Sequence, residues 1–340
     1  APRPWPRGVP ALSALGLILA IALAPFLASP GFDAYQANGA ERGFILATIY
    51  TALFLAAYWT AWTERAGILL LRVIVLLTAW QAVLVFYEWR AGSGLVNSWS
   101  LWSLLGLSTD TVQRVEDFRI TGLFRPMATS PHPFVMSFLL AIGFMLMIIM
   151  LTRRQQGERR DGLIDAFAPV AVAMLLVDAR TGYVVLVVGL VVLLALQARH
   201  LPRFLPLALA GTIAFGFAAV LAPSAARSTL NLFWNAGDDG SVLVRIDRLE
   251  SLPDLVSQNL FLGPGWLTND PKVLLFDNTY SLGLIELGVV GMAIYVMFLI
   301  TSSARMIGAR RLASNEEGIL ILAGLVGSTA LLSAGATFDA

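Results

Sequence analysis

Cysteine is absent from this chain, and histidine, lysine and charged residues in general are scarce. Without cysteine there is no disulfide, no thiolate-bound zinc and no thiol nucleophile. The two histidines, His132 and His200, are too few for a histidine-rich metal centre. The formal net charge of +1 at pH 7 gives no electrostatic case for nucleic-acid binding. The function therefore has to rest on the few arginines and carboxylates that interrupt an otherwise apolar sequence.

The abundant feature is apolar sequence of membrane-spanning length. Hydrophobic residues make up 57% of the 340 residues and charged residues only 13%, which is typical of polytopic membrane proteins. About 20 consecutive apolar residues are needed for a helix to cross the hydrocarbon core. The sequence therefore predicts an all-α, polytopic transmembrane helical bundle, a single transmembrane domain over residues 1–340. Nine spans are expected, at about 11–28, 43–62, 66–87, 133–152, 162–178, 181–198, 203–222, 279–301 and 317–335.

The arginines of the short loops predict the orientation. They cluster on the side of the N-terminus, which marks that side as cytoplasmic. The long polar loops then face outward: an external loop at 88–132, a tight turn at Asp178–Gly182 and a large loop at 223–278. We expect a multi-pass membrane protein whose active face points away from the cytoplasm. The sequence starts without Met and stops just after an apolar segment, so we expect it to be part of a longer protein.

The large loop at 223–278 is the segment around which the rest is organised. It is too long for a simple connection between packed helices, and long connections are usually functional or disordered. Leu230, Trp234 and Trp266 need burial, which argues against disorder. We therefore predict a partly helical periplasmic cap, with a rigid turn at Gly263–Trp266, leading directly into an apolar helix at 279–300.

Four polar features are predicted to meet on the external face. Arginines suit phosphate or pyrophosphate, because the guanidinium binds two oxygens at once and stays charged. They would also stabilise charge that develops on a pyrophosphate leaving group. A carboxylate such as Asp277 could accept the proton of an attacking hydroxyl. The features are Arg119 in RITGLFRP, Arg180 in DARTG, Arg245 with Arg248, and the segment Asp277-Asn278-Thr279-Tyr280.

These motifs resemble the O-antigen ligase and O-antigen polymerase family of polytopic glycosyltransferases. The resemblance covers about residues 115–292 and rests mainly on VRIDRLESLPDLVSQNLFLGPGW and DNTYSLGLIELGVVG, in that order. It implies a multi-pass protein of the bacterial inner membrane with a periplasmic active face. There it would transfer sugars from an undecaprenyl-pyrophosphate donor to a lipid-linked acceptor, without a nucleotide sugar, cofactor or metal. It also implies partners in polysaccharide assembly, namely a flippase and a chain-length regulator.

The resemblance assigns roles to individual residues. Arg180 and Arg245 match the family's essential arginines, and Asp277 falls where ligases carry a histidine. That difference favours a polymerase of lipid-linked repeat units of O-antigen or exopolysaccharide over a ligase. The remaining predicted substrate-binding residues are Arg119, Arg248, Asn278, Tyr280 and Trp266.

Simpler interpretations stand beside these. Arg180 could pair with Asp178, Arg245 and Arg248 could form a solvated helix face, and Asp277 could cap the helix that begins at Thr279. The Gly288–Gly291 pair is typical of close helix packing. Two other functions remain open: a ligase that moves a finished glycan to lipid A core or protein, and a transporter of an anionic substrate. The transporter ranks lower, because the predicted charged site lies at one face of the membrane and not near its midplane, and no repeat is visible.

Overall fold

The computed structural model is all-helical and has no strand within the residues that it describes. Those residues are 16, 36, 39–41, 43–45, 48, 64–92, 94, 126, 128, 130, 133–153, 163–197, 209, 211–213, 216, 217, 219, 220, 222–234, 240–266, 268, 278–309 and 315–336. The helices whose bounds lie within the described residues are α1 (Glu64–Ala91), α2 (Pro133–Arg153), α3 (Leu163–Val177), α4 (Arg180–Leu196), α5 (Pro223–Trp234), α6 (Gly240–Gln258), α7 (Thr279–Ala309) and α8 (Asn315–Ala336).

Four of the described helices are long and apolar enough to cross a membrane, which is consistent with a membrane protein. The apolar helices α3 and α4 are shorter. The predicted spans at 11–28, 43–62 and 203–222 lie largely outside the described residues, so the total of nine stays a prediction. The four long stretches are Arg65–Ala91, Pro133–Thr152, Thr279–Ala309 and Glu317–Ala334.

The polar segments differ from expectation in detail. Helix α1 continues to Ala91, so the external loop predicted at 88–132 begins about one turn later. The segment predicted as a cap contains α5 and α6, which makes it partly helical as expected. The expected burial of Leu230 and Trp234 is wrong for this structure, since both side chains are exposed. Whether this segment covers the bundle stays a prediction.

The contacts of the chain group it into two compact units. Ala1–Gly67 and Gly237–Ala313 belong to the first unit, and Ile68–Ala236 and Ser314–Asp339 belong to the second. In the second unit α2 packs against α3, α4 and α8. Its core is lined by buried apolar side chains such as Met136, Leu140, Met145, Leu175 and Leu193.

Helix α1 shows how the apolar residues of the second unit are divided between core and surroundings. Val75, Ala82 and Val85 are buried, whereas Leu69 and Leu76 are among its many exposed large apolar residues. A soluble protein rarely exposes an apolar surface of this extent. On a helix of this length, such a face is suited to contact with lipid tails.

Helices α1 and α2 approach each other most closely at Gly143. A Cβ atom at this position would collide with the side chain of Thr78, whose hydroxyl donates a hydrogen bond to the carbonyl oxygen of Ile74 at 2.9 Å. The Cβ of Thr78 is bonded directly to its Cα, so a change of side-chain rotamer does not move it away. Glycine at 143 is therefore required by packing.

We expect Gly143→Ala to destabilise the folded protein by about 1–3 kcal/mol, the usual cost of overpacking a core. Gly327→Ala in α8 is the matched control, because a Cβ atom there meets no atom within 4 Å. The control should be neutral or slightly stabilising, since alanine favours helix by about 1 kcal/mol over glycine. Thermal unfolding of the two purified variants in detergent checks this. Equal melting temperatures would contradict the close approach.

In the first unit, α6 packs against α7, and α7 is broken at Gly288. Gly288 has φ 66° and ψ −178°, a conformation outside the helical region. The prediction of one uninterrupted span at 279–301 is therefore wrong at this point. The part that follows the break, Val289–Ala309, is about 30 Å long at a rise of 1.5 Å per residue and can span a membrane by itself.

Candidate functional site

Arg180 is the first residue of α4 and follows a sharp turn in the backbone. Asp178 has φ 52°, in the left-handed region, which aspartate tolerates better than most residues. Ala179 then takes an extended conformation, φ −128° and ψ 131°, and provides no side-chain cap for the helix. The tight turn predicted at Asp178–Gly182 is confirmed, with its last three residues forming the first turn of the helix.

A buried polar cluster supports this turn. Asp178 is only 1% exposed, and its Oδ1 accepts a hydrogen bond from the Thr229 hydroxyl at 3.0 Å. The Tyr183 hydroxyl also interacts with Thr229 and donates to the carbonyl oxygen of Met174 at 3.3 Å. Thr229 belongs to α5, so this helix is fixed to the turn that carries Arg180. A buried carboxylate needs such partners, because leaving one unsatisfied is costly.

The glycine of the DARTG motif has a packing role. The Gly182 N–H donates to the Ser137 hydroxyl oxygen at 3.2 Å, and a Cβ atom at 182 would lie 2.8 Å from the Ser137 carbonyl oxygen. Farther along the same pair of helices, Gly189 faces Met145. Because the residue numbers of these contacts increase together along both helices, α2 and α4 run parallel. The lack of a side chain at Gly182 therefore allows the start of α4 to pack closely against α2.

The arrangement around Arg180 suits an anion. Arg180 is half-buried, and its side chain is at the N-terminus of a 17-residue helix, where the helix dipole also favours negative charge. Arg180 makes polar contacts within the protein, and Asp178 offsets part of its positive charge. A phosphate oxygen could bind the Arg180 guanidinium at this helix end.

The start of α7 has a different capping residue from the one predicted. The side-chain Oδ1 of Asn278 accepts hydrogen bonds from the backbone N–H of Tyr280 at 2.8 Å and of Ser281 at 3.3 Å. This is the standard N-cap geometry, so the helix cap is Asn278 and the assignment of this role to Asp277 is wrong. Asn278, predicted to bind substrate, has its side-chain oxygen occupied by the helix. Tyr280 is half-buried on the first turn.

The turn at Gly263–Trp266 is confirmed as a defined structure. Gly265 has φ 121°, and its carbonyl oxygen accepts a hydrogen bond from the buried Thr268 hydroxyl at 2.6 Å. Trp266 is half-buried, and its backbone lies so close to Gly43 that a Cβ atom at 43 would collide with it. The backbone at Trp266 is therefore positioned by the Thr268–Gly265 hydrogen bond and by the close contact with Gly43.

The remaining predicted site residues lie wholly or partly outside the described residues. Arg119 and Asp277 are outside them, so their roles stay predictions. Arg245 and Arg248 lie three positions apart on α6, which places them on one face of that helix as expected. Their side chains are outside the described residues. Arg180 belongs to the second unit, whereas Arg245, Trp266, Asn278 and Tyr280 belong to the first.

Two polar residues that the sequence did not single out are buried in the second unit. Glu88 is 1% exposed, and its Oε2 accepts a hydrogen bond from the Ala128 N–H at 2.7 Å, just after the RITGLFRP motif. A carboxylate at the end of an apolar run could have indicated this role, had the helix not been ended at residue 87. Thr229 gave no signal, because its partner Asp178 is 51 positions away.

The described residues contain no group of three His, Asp or Glu side chains that could hold a metal ion, and independence from metals stays a prediction. Comparison with family models, curated proteins and solved structures finds no match to the chain.

Proposed function

We propose that this chain is a membrane glycosyltransferase that polymerises undecaprenyl-pyrophosphate-linked oligosaccharide repeat units of O-antigen or exopolysaccharide. The observation that carries the proposal is the position of Arg180. It begins an apolar helix that lacks a side-chain cap, beside a buried carboxylate that accepts a hydrogen bond from Thr229. In a chain with helices of membrane-spanning length, an anion site of this kind fits the pyrophosphate of a lipid-linked donor.

The reaction needs three contributions from the protein. The acceptor hydroxyl oxygen attacks the anomeric carbon of the donor sugar, and the bond from that carbon to the pyrophosphate oxygen breaks. The electron pair leaves with undecaprenyl pyrophosphate, where Arg180 and Arg245 would stabilise the charge that develops. The hydroxyl proton would pass to the Asp277 carboxylate. Arg119, Arg248, Tyr280 and Trp266 would bind the two substrates.

A transporter of an anionic substrate gains one argument from the structure. A membrane-length helix that is broken in its interior, as α7 is at Gly288, is typical of transporters. In transporters, however, the ends of the half-helices face the substrate. In α7 the N–H groups of Val289 and Val290 are bonded to the carbonyl oxygens of Leu260 and Phe261, so that helix end is occupied by protein. This difference ranks the glycosyltransferase first.

Reconstitution of the protein into liposomes with undecaprenyl-pyrophosphate-linked repeat units tests the proposal. We expect a ladder of lipid-linked products that differ by whole repeat units, without added nucleotide sugar. Transfer of a preformed glycan to lipid A core, with no ladder, would indicate a ligase instead. Accumulation of an anionic solute inside the vesicles, with neither product, would favour the transporter.

A further inference from the structure

The two halves of α7 turn toward each other at Gly288. A Cβ atom at Gly283 would collide with the terminal methyl group of Met292, nine positions farther along the chain. A straight helix would separate residues nine apart by about 13 Å, which a methionine side chain cannot bridge. The helix therefore forms a sharp corner.

A loop from the preceding segment holds this corner. The Gly265 N–H donates to the carbonyl oxygen of Glu286 at 2.8 Å, on the near side of the break. On the far side, the N–H groups of Val289 and Val290 donate to Leu260 at 2.9 Å and to Phe261 at 3.1 Å. These three hydrogen bonds satisfy backbone groups that the broken helix would otherwise leave unpaired. The joint is therefore fixed on both sides and is not a free hinge.

Two glycines allow the loop and the corner to meet. A Cβ atom at Gly288 would lie 2.5 Å from the Phe261 carbonyl oxygen and 2.8 Å from the Gly263 nitrogen. A Cβ atom at Gly263 would collide with the backbone of Glu286. The backbone conformation of Gly288, φ 66° and ψ −178°, is also one that essentially only glycine adopts. The interpretation of Gly288 and Gly291 as a packing face for a neighbouring helix is therefore wrong, since both serve the corner itself.

We propose that the loop Leu260–Gly265 and the break at Gly288 form a locked corner, whose role is to hold the start of α7, Asn278–Tyr280, in a fixed position relative to the part of the helix that follows the break. Gly263 and Gly288 are then positioning residues for the reaction, because they place Tyr280 without touching the substrate. This inference rests on the proposed function. It follows from the geometry of one half-helix: Asn278 caps its start, and the corner fixes its end. Both ends of Thr279–Leu287 are thereby tied down.

The absence of cysteine allows the corner to be measured directly. Spin labels on Thr279→Cys and Met297→Cys occupy two exposed positions, one on each side of the break. In a straight helix their Cα atoms would be about 27 Å apart, whereas a right-angled corner shortens this to about 19 Å. We expect the short distance in the wild-type background and in Gly308→Ala, where an added Cβ meets no atom within 4 Å. Gly288→Ala should shift the distance toward the straight-helix value, and Gly263→Ala tests the loop side of the lock.

The same glycine variants, without labels, are then assayed for glycan extension. A misplaced proton acceptor should lower kcat by about 10²-fold in Gly288→Ala, whereas the KM for the lipid-linked donor should change little. Gly308→Ala should keep both values. A wild-type distance near that of a straight helix overturns the inference, and so does full kcat in a Gly288→Ala protein whose corner has opened. If the wild type extends no glycan, the proposed function fails, while the distances still support or overturn the locked corner.

Discussion

Arg180→Lys is expected to lower the rate of glycan extension by about 10²–10³-fold, the loss typical of removing one preorganised donor to a developing negative charge. Lysine keeps the positive charge but cannot bind two phosphate oxygens at once. The effect should be large because the backbone at residue 180 cannot readily shift to compensate for the altered side chain. Its backbone is fixed by the turn at Asp178, and the start of α4 is fixed by the Gly182–Ser137 hydrogen bond. Kinetics on reconstituted vesicles, with the donor varied, measure this loss.

The matched control is Arg227→Lys on α5. Arg227 is exposed and lies two positions before Thr229, the residue that binds Asp178. Exposed charges of this kind contribute little to stability, so activity and melting temperature should both stay near wild type. Equal activity of the two lysine variants would remove the argument for a pyrophosphate site at Arg180. A large loss of melting temperature in Arg180→Lys would instead assign the residue to the fold.

Thr229→Val extends the same test to the support of the arginine. Valine preserves the shape of the side chain but removes the hydroxyl that donates to Asp178. Removing this donor from a buried carboxylate lowers the free energy of unfolding by about 1–3 kcal/mol. The turn before Arg180 should then shift so that Asp178 finds another hydrogen-bond donor. Activity should therefore fall by more than the loss of folded protein explains.

Much of the helical framework could be predicted from the sequence, because an apolar run of membrane-spanning length has few alternatives to a helix. Two of the spans illustrate this. The span predicted at 133–152 is observed as Pro133–Arg153, and that predicted at 317–335 as Asn315–Ala336. Pro131 before the span at 133–152 and Arg154 after it mark clear ends of the apolar pattern.

The break in α7 could not be predicted in the same way. Apart from Glu286, the sequence close to Gly288 on both sides is apolar, and glycine is common inside membrane helices. The corner depends on carbonyl groups of Leu260 and Phe261, about thirty positions earlier in the chain. A backbone partner at that distance leaves no mark on the local pattern of apolar and polar residues.

The candidate site shows the same division between local and distant contacts. The tight turn at Asp178 and the position of Arg180 at its end follow from neighbouring residues and were predicted. The bond from Thr229 to Asp178 joins residues 51 positions apart and was not. The error over the cap of α7 was one of register: two adjacent residues, Asp277 and Asn278, are equally good caps, and only geometry decides between them.

Asp277→Asn is expected to abolish most glycan extension while leaving the protein as stable as wild type. Asparagine keeps the shape of aspartate but cannot accept the proton of the attacking hydroxyl, and a positioned base typically contributes about 10²–10⁴-fold in rate. The stability part of this expectation comes from the structure. The N–H groups of Tyr280 and Ser281 are capped by Asn278, so replacing Asp277 should not expose the helix end.

The neighbouring residue provides the control that separates catalysis from capping. Asn278→Ala removes the cap and should lower stability by about 1 kcal/mol, whereas Asn278→Asp keeps an oxygen in place and should preserve it. Asp277→His should recover part of the activity, because histidine can accept a proton near neutral pH. Extension assays and thermal unfolding of all four variants decide the matter. A fully active Asp277→Asn protein would exclude Asp277 as the base, and a drop in stability as large as that of Asn278→Ala would return it to the helix cap.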